Sequence, residues 1–118
     1  MNIEEFREYC LAKKGVTESF PFDEQTLVFK VMGKMFALTG LERLPAQVNL
    51  KCDPDYGVEL REKYDGAIIP GYHMSKVHWN TVILDQVPPK LVTHLVDHSY
   101  DLVVSKLTKK LKEELKAL

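Results

Sequence analysis

The chain is short of the residues that staple small proteins together. Among 118 residues there are two cysteines, Cys10 and Cys52, and no CxxC. That excludes a disulfide scaffold and a structural zinc site, and it fits a reducing compartment. Arginine is scarce: Arg7, Arg43 and Arg61 are the full set. Specific base readout leans on arginine, asparagine and glutamine, so dense arginine-driven readout is not expected. Neither sign of charge dominates. The formal net charge is −1 and the pI is ≈ 6.4, far from a basic footprint. No apolar run approaches the ~18 residues of a membrane span. The opening MNIEEFREY carries early acids and has no apolar leader. There is no Gly-rich phosphate loop, no GxSxG and no paired-carboxylate motif. The expectation is a cytoplasmic, non-enzymatic protein with no catalytic residues, no metal, no cofactor and no membrane partner.

What is present is ordinary for a globular domain: 45% hydrophobic and 28% charged residues. The length predicts one domain over 1–118, burying roughly two-thirds of its unfolded surface.

The order of elements is helix, a block of strands, then helices. Asn2 is placed to cap a helix, with Glu4 and Glu5 in the first turn and Ile3, Phe6 and Cys10 as its apolar stripe. Gly15 after Lys13 and Lys14 ends it. Residues 17–24 read as an irregular, partly buried segment. Leu27, Phe29 and Val31 alternate with Val28, Lys30 and Met32, which predicts a strand. Gly33-Lys34 is compatible with a two-residue hairpin turn, with Met35 to Thr39 as the return strand.

After a loop around Gly40 to Pro45, Gln47 to Lys51 alternates cleanly, Val48 and Leu50 inward and Gln47, Asn49 and Lys51 outward. Asp53-Pro54 is a cap followed by proline at the first helical position, so a helix runs to about Tyr64, with Gly66 beyond it. Ala67 to Ile69 is a short extended segment. Lys76 to Leu84 predicts the last strand. Its parity sets His78 and Asn80 on one face and Val77, Trp79, Thr81 and Ile83 on the other, packed under the helices, with stacking of Trp79 and Tyr72 on a base or planar ligand as the alternative. Pro88 or Pro89 opens a long helix whose wide stripe includes Leu91, Leu95, Val96, Val103 and Leu107, with Ser99 as a small residue inside it. Thr108 recaps a final helix, KKLKEELKAL.

This order resembles the MmcQ/YjbR family of small bacterial proteins. The carriers are FREYCLAKKGVTESFPF, PAQVNLKCDP, GYHMSKVHWNTVILD and LVDHSYDLVV, with Lys76-Val77-His78-Trp79 and Thr81-Val82 the most specific piece. The resemblance implies an α+β fold: an antiparallel sheet with helices packed on one face, a frataxin/CyaY-like two-layer sandwich. It also implies a DNA-binding label of the double-wing type, and no catalytic residues to carry over.

Charge distribution bears on that label. Across 25–52 and 66–84, Lys30, Lys34, Arg43, Lys51 and Lys76 face one acid, Glu42, a local net of +4. An uncovered sheet face carrying Lys30, Lys34, Asn49, Lys51, Lys76, His78 and Asn80, with Gln47, suits phosphate or another anion. The expected partner is therefore DNA or another polyanion, bound weakly by a monomer or weak dimer. The alternatives are a protein-interaction module using the sheet edge or last helix, and a small-ligand or enzyme site near Tyr72, His73 and His78. His94 and His98, with Asp97 and Asp101, have a spacing that can grip a metal, but no third ligand is evident and a solvated helix face is the simpler reading. Cys52 reads as a small buried residue rather than a partner for His78.

Overall fold

The computed structural model describes residues 1–72 and 74–118. The sheet residues fold into six antiparallel strands: β1 (Val16–Ser19), β2 (Thr26–Val31), β3 (Lys34–Gly40), β4 (Gln47–Lys51), β5 (Ile68–Pro70) and β6 (Trp79–Ile83). Their spatial order is β1-β2-β3-β4-β6-β5. Four α-helices accompany them: α1 (Ile3–Leu11), α2 (Pro54–Lys63), α3 (Pro89–Ser105) and α4 (Lys109–Lys116), with a short 3₁₀ turn at Leu84–Gln86. Among the described residues no helix is long and apolar enough to cross a membrane.

The helix starts follow from the residues at their caps. Asn2 accepts from the Glu5 N–H while Glu5 reaches back to the Asn2 N–H, a reciprocal pair that satisfies two otherwise orphaned donors. Asp53 accepts from Tyr56 N–H, with Pro54 supplying the preset φ. Thr108 caps α4 through Leu111 N–H.

The main core lies between one sheet face and the helices. Phe6 and Cys10 of α1 and Val92, Leu95, Val96 and Val103 of α3 meet Leu27, Phe29, Val31, Ala37, Val48, Leu50 and Val82. Phe6 and Phe29 pack edge to face at 5.8 Å. The two-layer sandwich is thus built by alternation on the strands and one wide stripe on α3. α4 is docked rather than free: Leu115 belongs to the same core and presses on the Gly15 turn.

Three expectations need correction. First, part of 17–24 is a strand: Val16–Ser19 pairs with β2 as an edge strand, too short to show a period in sequence. Second, the β2–β3 turn is Met32-Gly33, not Gly33-Lys34. Both residues have positive φ, 50° and 82°, as a type I′ hairpin requires, and the glycine sits second. Third, the parity of β6 is reversed. The strand begins at Trp79; residues 76–78 form a turn. Val82 enters the main core and Asn80 points the same way, whereas Trp79 joins a second small cluster with Val28 and Leu38 on the opposite face.

The sheet is two three-stranded halves joined along a short seam. β2 and β3 share six backbone pairs and β4 and β6 share five, but β3 and β4 share only Ala37–Leu50 and Leu38–Asn49. The pairing is interrupted because Phe36 is an extra residue, a bulge opposite the Phe29/Lys30 step. Side-chain hydroxyls close both ends of the seam. Thr39 Oγ1 donates to the Gln47 carbonyl at 2.8 Å. Ser99 Oγ donates to the Phe36 carbonyl at 2.5 Å and accepts from Lys51 N–H at 3.0 Å.

Candidate functional site

In an antiparallel pair, directly opposite residues share a face. Val28 pairs with Leu38, Leu38 with Asn49, Asn49 with Thr81, Lys51 with Trp79 and Lys30 with Met35. These residues therefore form the face turned away from α1 and α3, and no acid stands among them. Val28, Leu38 and Trp79 are its buried floor, packed by Met35 and Met74. After β5, Gly71 N–H extends the ladder to the Trp79 carbonyl, and Met74 packs onto this floor. Gly71 is required there, since a Cβ would lie 2.9 Å from Trp79 Cβ. The outer face is thus partly roofed, not open.

Two hollows lie at the ends of the β3–β4 seam: the upper is on the outer face, and the lower opens past the end of the sheet onto α3, with Lys34 on the helix side opposite Val31. The lower is a cleft of about 320 Å³ lined by Lys34, Met35, Lys51, Trp79, Val103, Lys106 and Leu107. Its walls are apolar and its charges all positive. The lysines come from three places: the start of β3, the end of β4 and the C-cap of α3. Among the described residues the ion pairs are Arg7–Glu18 and Lys13–Asp97, so none of these lysines has a carboxylate partner.

The upper hollow, about 190 Å³, is lined on its polar side by Arg43, Gln47, Asn49, Tyr72 and Thr81 over Leu38 and Met74. Thr81 Oγ1 donates to Asn49 Oδ1 at 2.6 Å, which fixes the amide and leaves its NH₂ uncommitted. Gln47 Nε2 donates to the Pro45 carbonyl at 3.2 Å, leaving Gln47 Oε1 as an acceptor.

The structure gathers only some of the residues singled out in the sequence. Lys34 and Lys51 share the lower cleft and Asn49 lies in the upper one. Lys30 is on the same face, half-buried beside Met35. Lys76 and His78 sit exposed on the turn before β6, with Lys76 Nζ 5.2 Å from the Tyr72 ring centre. Asn80 does not belong with them. It is 3% exposed on the helix side, where Arg61 donates to its Oδ1 at 2.6 Å and it donates to the Gly57 carbonyl at 3.4 Å. Its amide anchors α2 to the sheet. His73 lies outside the described residues. Lys106 was missed because it is a helix residue that only the fold brings beside Trp79.

The other candidate centres have structural roles. His98 Nε2 accepts from Asp53 N–H at 3.1 Å and the ring packs edge-on to Tyr56. Burial lowers its pKa, with a smaller push from His94. Asp97 is held by Tyr9 and Lys13; their hydrogen bonds outweigh burial and keep its carboxyl below the usual range. Cys52 N–H donates to the His78 carbonyl, but its thiol is buried in the core, and burial pushes its pKa up to about 11. Among the described residues no three His, Cys, Asp or Glu side chains gather as a metal site.

Comparison with known proteins places this geometry in a wider set. Residues 11–102 match the YjbR family model. The uncharacterised protein YjbR of Escherichia coli K12 is 37% identical over 109 residues, 91% of each chain. The uncharacterised Bacillus subtilis protein YyaQ is 32% identical over 77 residues, 64% of this chain and 63% of the relative. The crystal structure of the Deinococcus radiodurans protein DR2400 superposes with a TM-score of 0.91 at 43% identity, covering 98% of this chain and 88% of that one. A Pseudomonas syringae structure gives 0.72 at 27% identity, with coverages of 86% and 98%. On both sequence and fold, the chain belongs to the YjbR family.

Proposed function

We propose that this protein is a non-enzymatic binding protein that holds a nucleic-acid backbone, DNA in the first instance, at the lower end of its sheet, where the outer face meets the C-terminal end of α3. One observation carries the reading: Lys34, Lys51 and Lys106 converge from three elements on one cleft with no carboxylate in its lining. Lysine serves phosphate as a compact point charge. Each phosphate neutralised also releases counterions, and that release supplies the affinity. Lys30 and Lys76 extend the same field across the face. With arginine scarce and Asn80 turned inward, binding is weak and tolerant of sequence.

The test is a fluorescence-anisotropy titration of a labelled 20-base-pair duplex at two salt concentrations. Three or four phosphate contacts give a log K against log salt slope of about −3. The triple variant Lys34→Gln, Lys51→Gln, Lys106→Gln flattens that slope with its circular dichroism unchanged. No binding by the native protein at low salt, to duplex or single strand, overturns the proposal.

A second reading, a protein-interaction module, is favoured by a different feature. Phe22 and Leu44 are 66% and 87% exposed, in loops tied together by Leu41 N–H to the Gln25 carbonyl. Concentration-dependent sedimentation abolished by Phe22→Ser with Leu44→Ser would move the assignment there.

A further inference from the structure

We propose that the upper hollow receives one unstacked base of a single nucleic-acid strand, so that the protein prefers single strands to duplex. This rests on that nucleic-acid reading and adds a site and a strand preference to it.

Size comes first. At about 190 Å³ the hollow lies below the ~300–1,000 Å³ of pockets for drug-sized ligands, so it suits a single ring system. Its chemistry comes next. Asn49 offers NH₂ donors and Gln47 offers a carbonyl acceptor. They stand two residues apart on one strand, on the same face, about 6.8 Å from each other. One donor and one acceptor spaced along the strand complement a heterocycle that carries both kinds of group on its rim, the groups by which side chains read bases. Leu38 and Met74 supply apolar contact for the ring faces, and Tyr72 supplies an aromatic wall. No acid lines the hollow, and Arg43 at its rim suits the sugar-phosphate.

Lys51 of the lower cleft is also two residues along β4 from Asn49, on the same face. A base seated on Asn49 therefore leaves its backbone within reach of the lysines. A duplex cannot satisfy both hollows, because its bases are stacked and paired inside; a single strand splays a base at little cost.

Three labelled probes test this by anisotropy at low salt: a 20-nucleotide single strand, its duplex, and a 20-unit abasic strand of equal charge. The single strand should bind ~tenfold tighter than either of the others, in line with stacking plus edge contacts for one base. Asn49→Ala, and separately the exposed Tyr72→Ala, should reduce the single strand to the abasic level without changing its salt slope. Equal binding of all three probes overturns the base site and leaves the backbone reading standing. Binding of none overturns both. Competition by a nucleoside monophosphate at the strand's own concentration would reassign the hollow to a free ligand and overturn the strand preference.

Discussion

Replacing Ser99 by alanine removes one oxygen and severs the sheet's seam at one end. Ser99 is 0% exposed and lies in the buried stripe of α3. Its hydroxyl replaces a backbone bond that the Phe36 bulge prevents from forming directly. In Ser99→Ala the Phe36 carbonyl and the Lys51 N–H both lose their partner. Each stranded buried group costs about 1–3 kcal/mol. Alanine's better helix propensity returns only a few tenths of a kcal/mol. The bulge keeps the strands from closing on each other, so no backbone group replaces the lost oxygen. The expected loss is therefore ~2–4 kcal/mol, a fall in Tm of roughly 10 °C for a domain of this size. Urea unfolding followed through Trp79, the sole tryptophan, gives the free energy; an unchanged m-value shows that the same surface is exposed. Hydrogen exchange gives the location, because the Lys51 amide should lose protection while amides within β4–β6 keep theirs. Ser105→Ala, on an exposed helix end, is the control. A loss below ~0.5 kcal/mol, the range of surface sites, would mean that the two backbone groups find each other without the hydroxyl.

Leu95→Ala, a truncation beneath the sheet, should cost ~2–5 kcal/mol in the same urea titration. Gly15→Ala combines a left-handed φ of 75° with a Cβ 2.6 Å from Leu115 Cδ1, so it should destabilise by ~1–3 kcal/mol and increase proteolytic cleavage ahead of α4, whereas Gly33→Ala meets the φ penalty alone. His98 has a folded pKa below its unfolded value, so its contribution is complete above the unfolded pKa near 6.5 and is lost as pH falls through the folded one. Tm should therefore decline on acidification from about pH 6.5, and His98→Gln, which keeps an acceptor for Asp53 N–H, should remove that part of the decline; identical pH profiles for the two proteins would contradict the assignment.

Much of this fold is legible in the sequence because its signals are local. Asn2, the Asp53-Pro54 pair and Thr108 start helices where the chain requires them, and the spacing from Leu91 to Leu107 identifies the core face of α3. β4 reads correctly because one of its faces is apolar and the other polar. β6 does not, because a partner cluster covers each of its faces: Trp79, Asn80, Thr81 and Val82 are all buried, and polarity no longer reports direction. Asn80 is a polar residue in an interior, made acceptable by Arg61 and a carbonyl some twenty residues away in sequence. Of the candidate site, the lysines of β3 and β4 are readable as an acid-poor sheet. Lys106, the bulge at Phe36 and the roof formed by Tyr72 and Met74 are tertiary products with no sequence period to announce them.

The seam also has a mechanical meaning. A sheet whose halves are joined by two backbone pairs and two hydroxyl clips resembles a book with a thin spine. Such a sheet would yield first along that spine, and α3, packed on both halves in one core, resists it from one side. The two hollows lie at the head and tail of the spine, so whatever occupies both would act as a clasp. Occupancy would register as slowed exchange at Lys51 and Asn49 and a stiffer sheet, with no rearrangement of either half. Recognition in this molecule would then be felt as rigidity rather than as a change of shape.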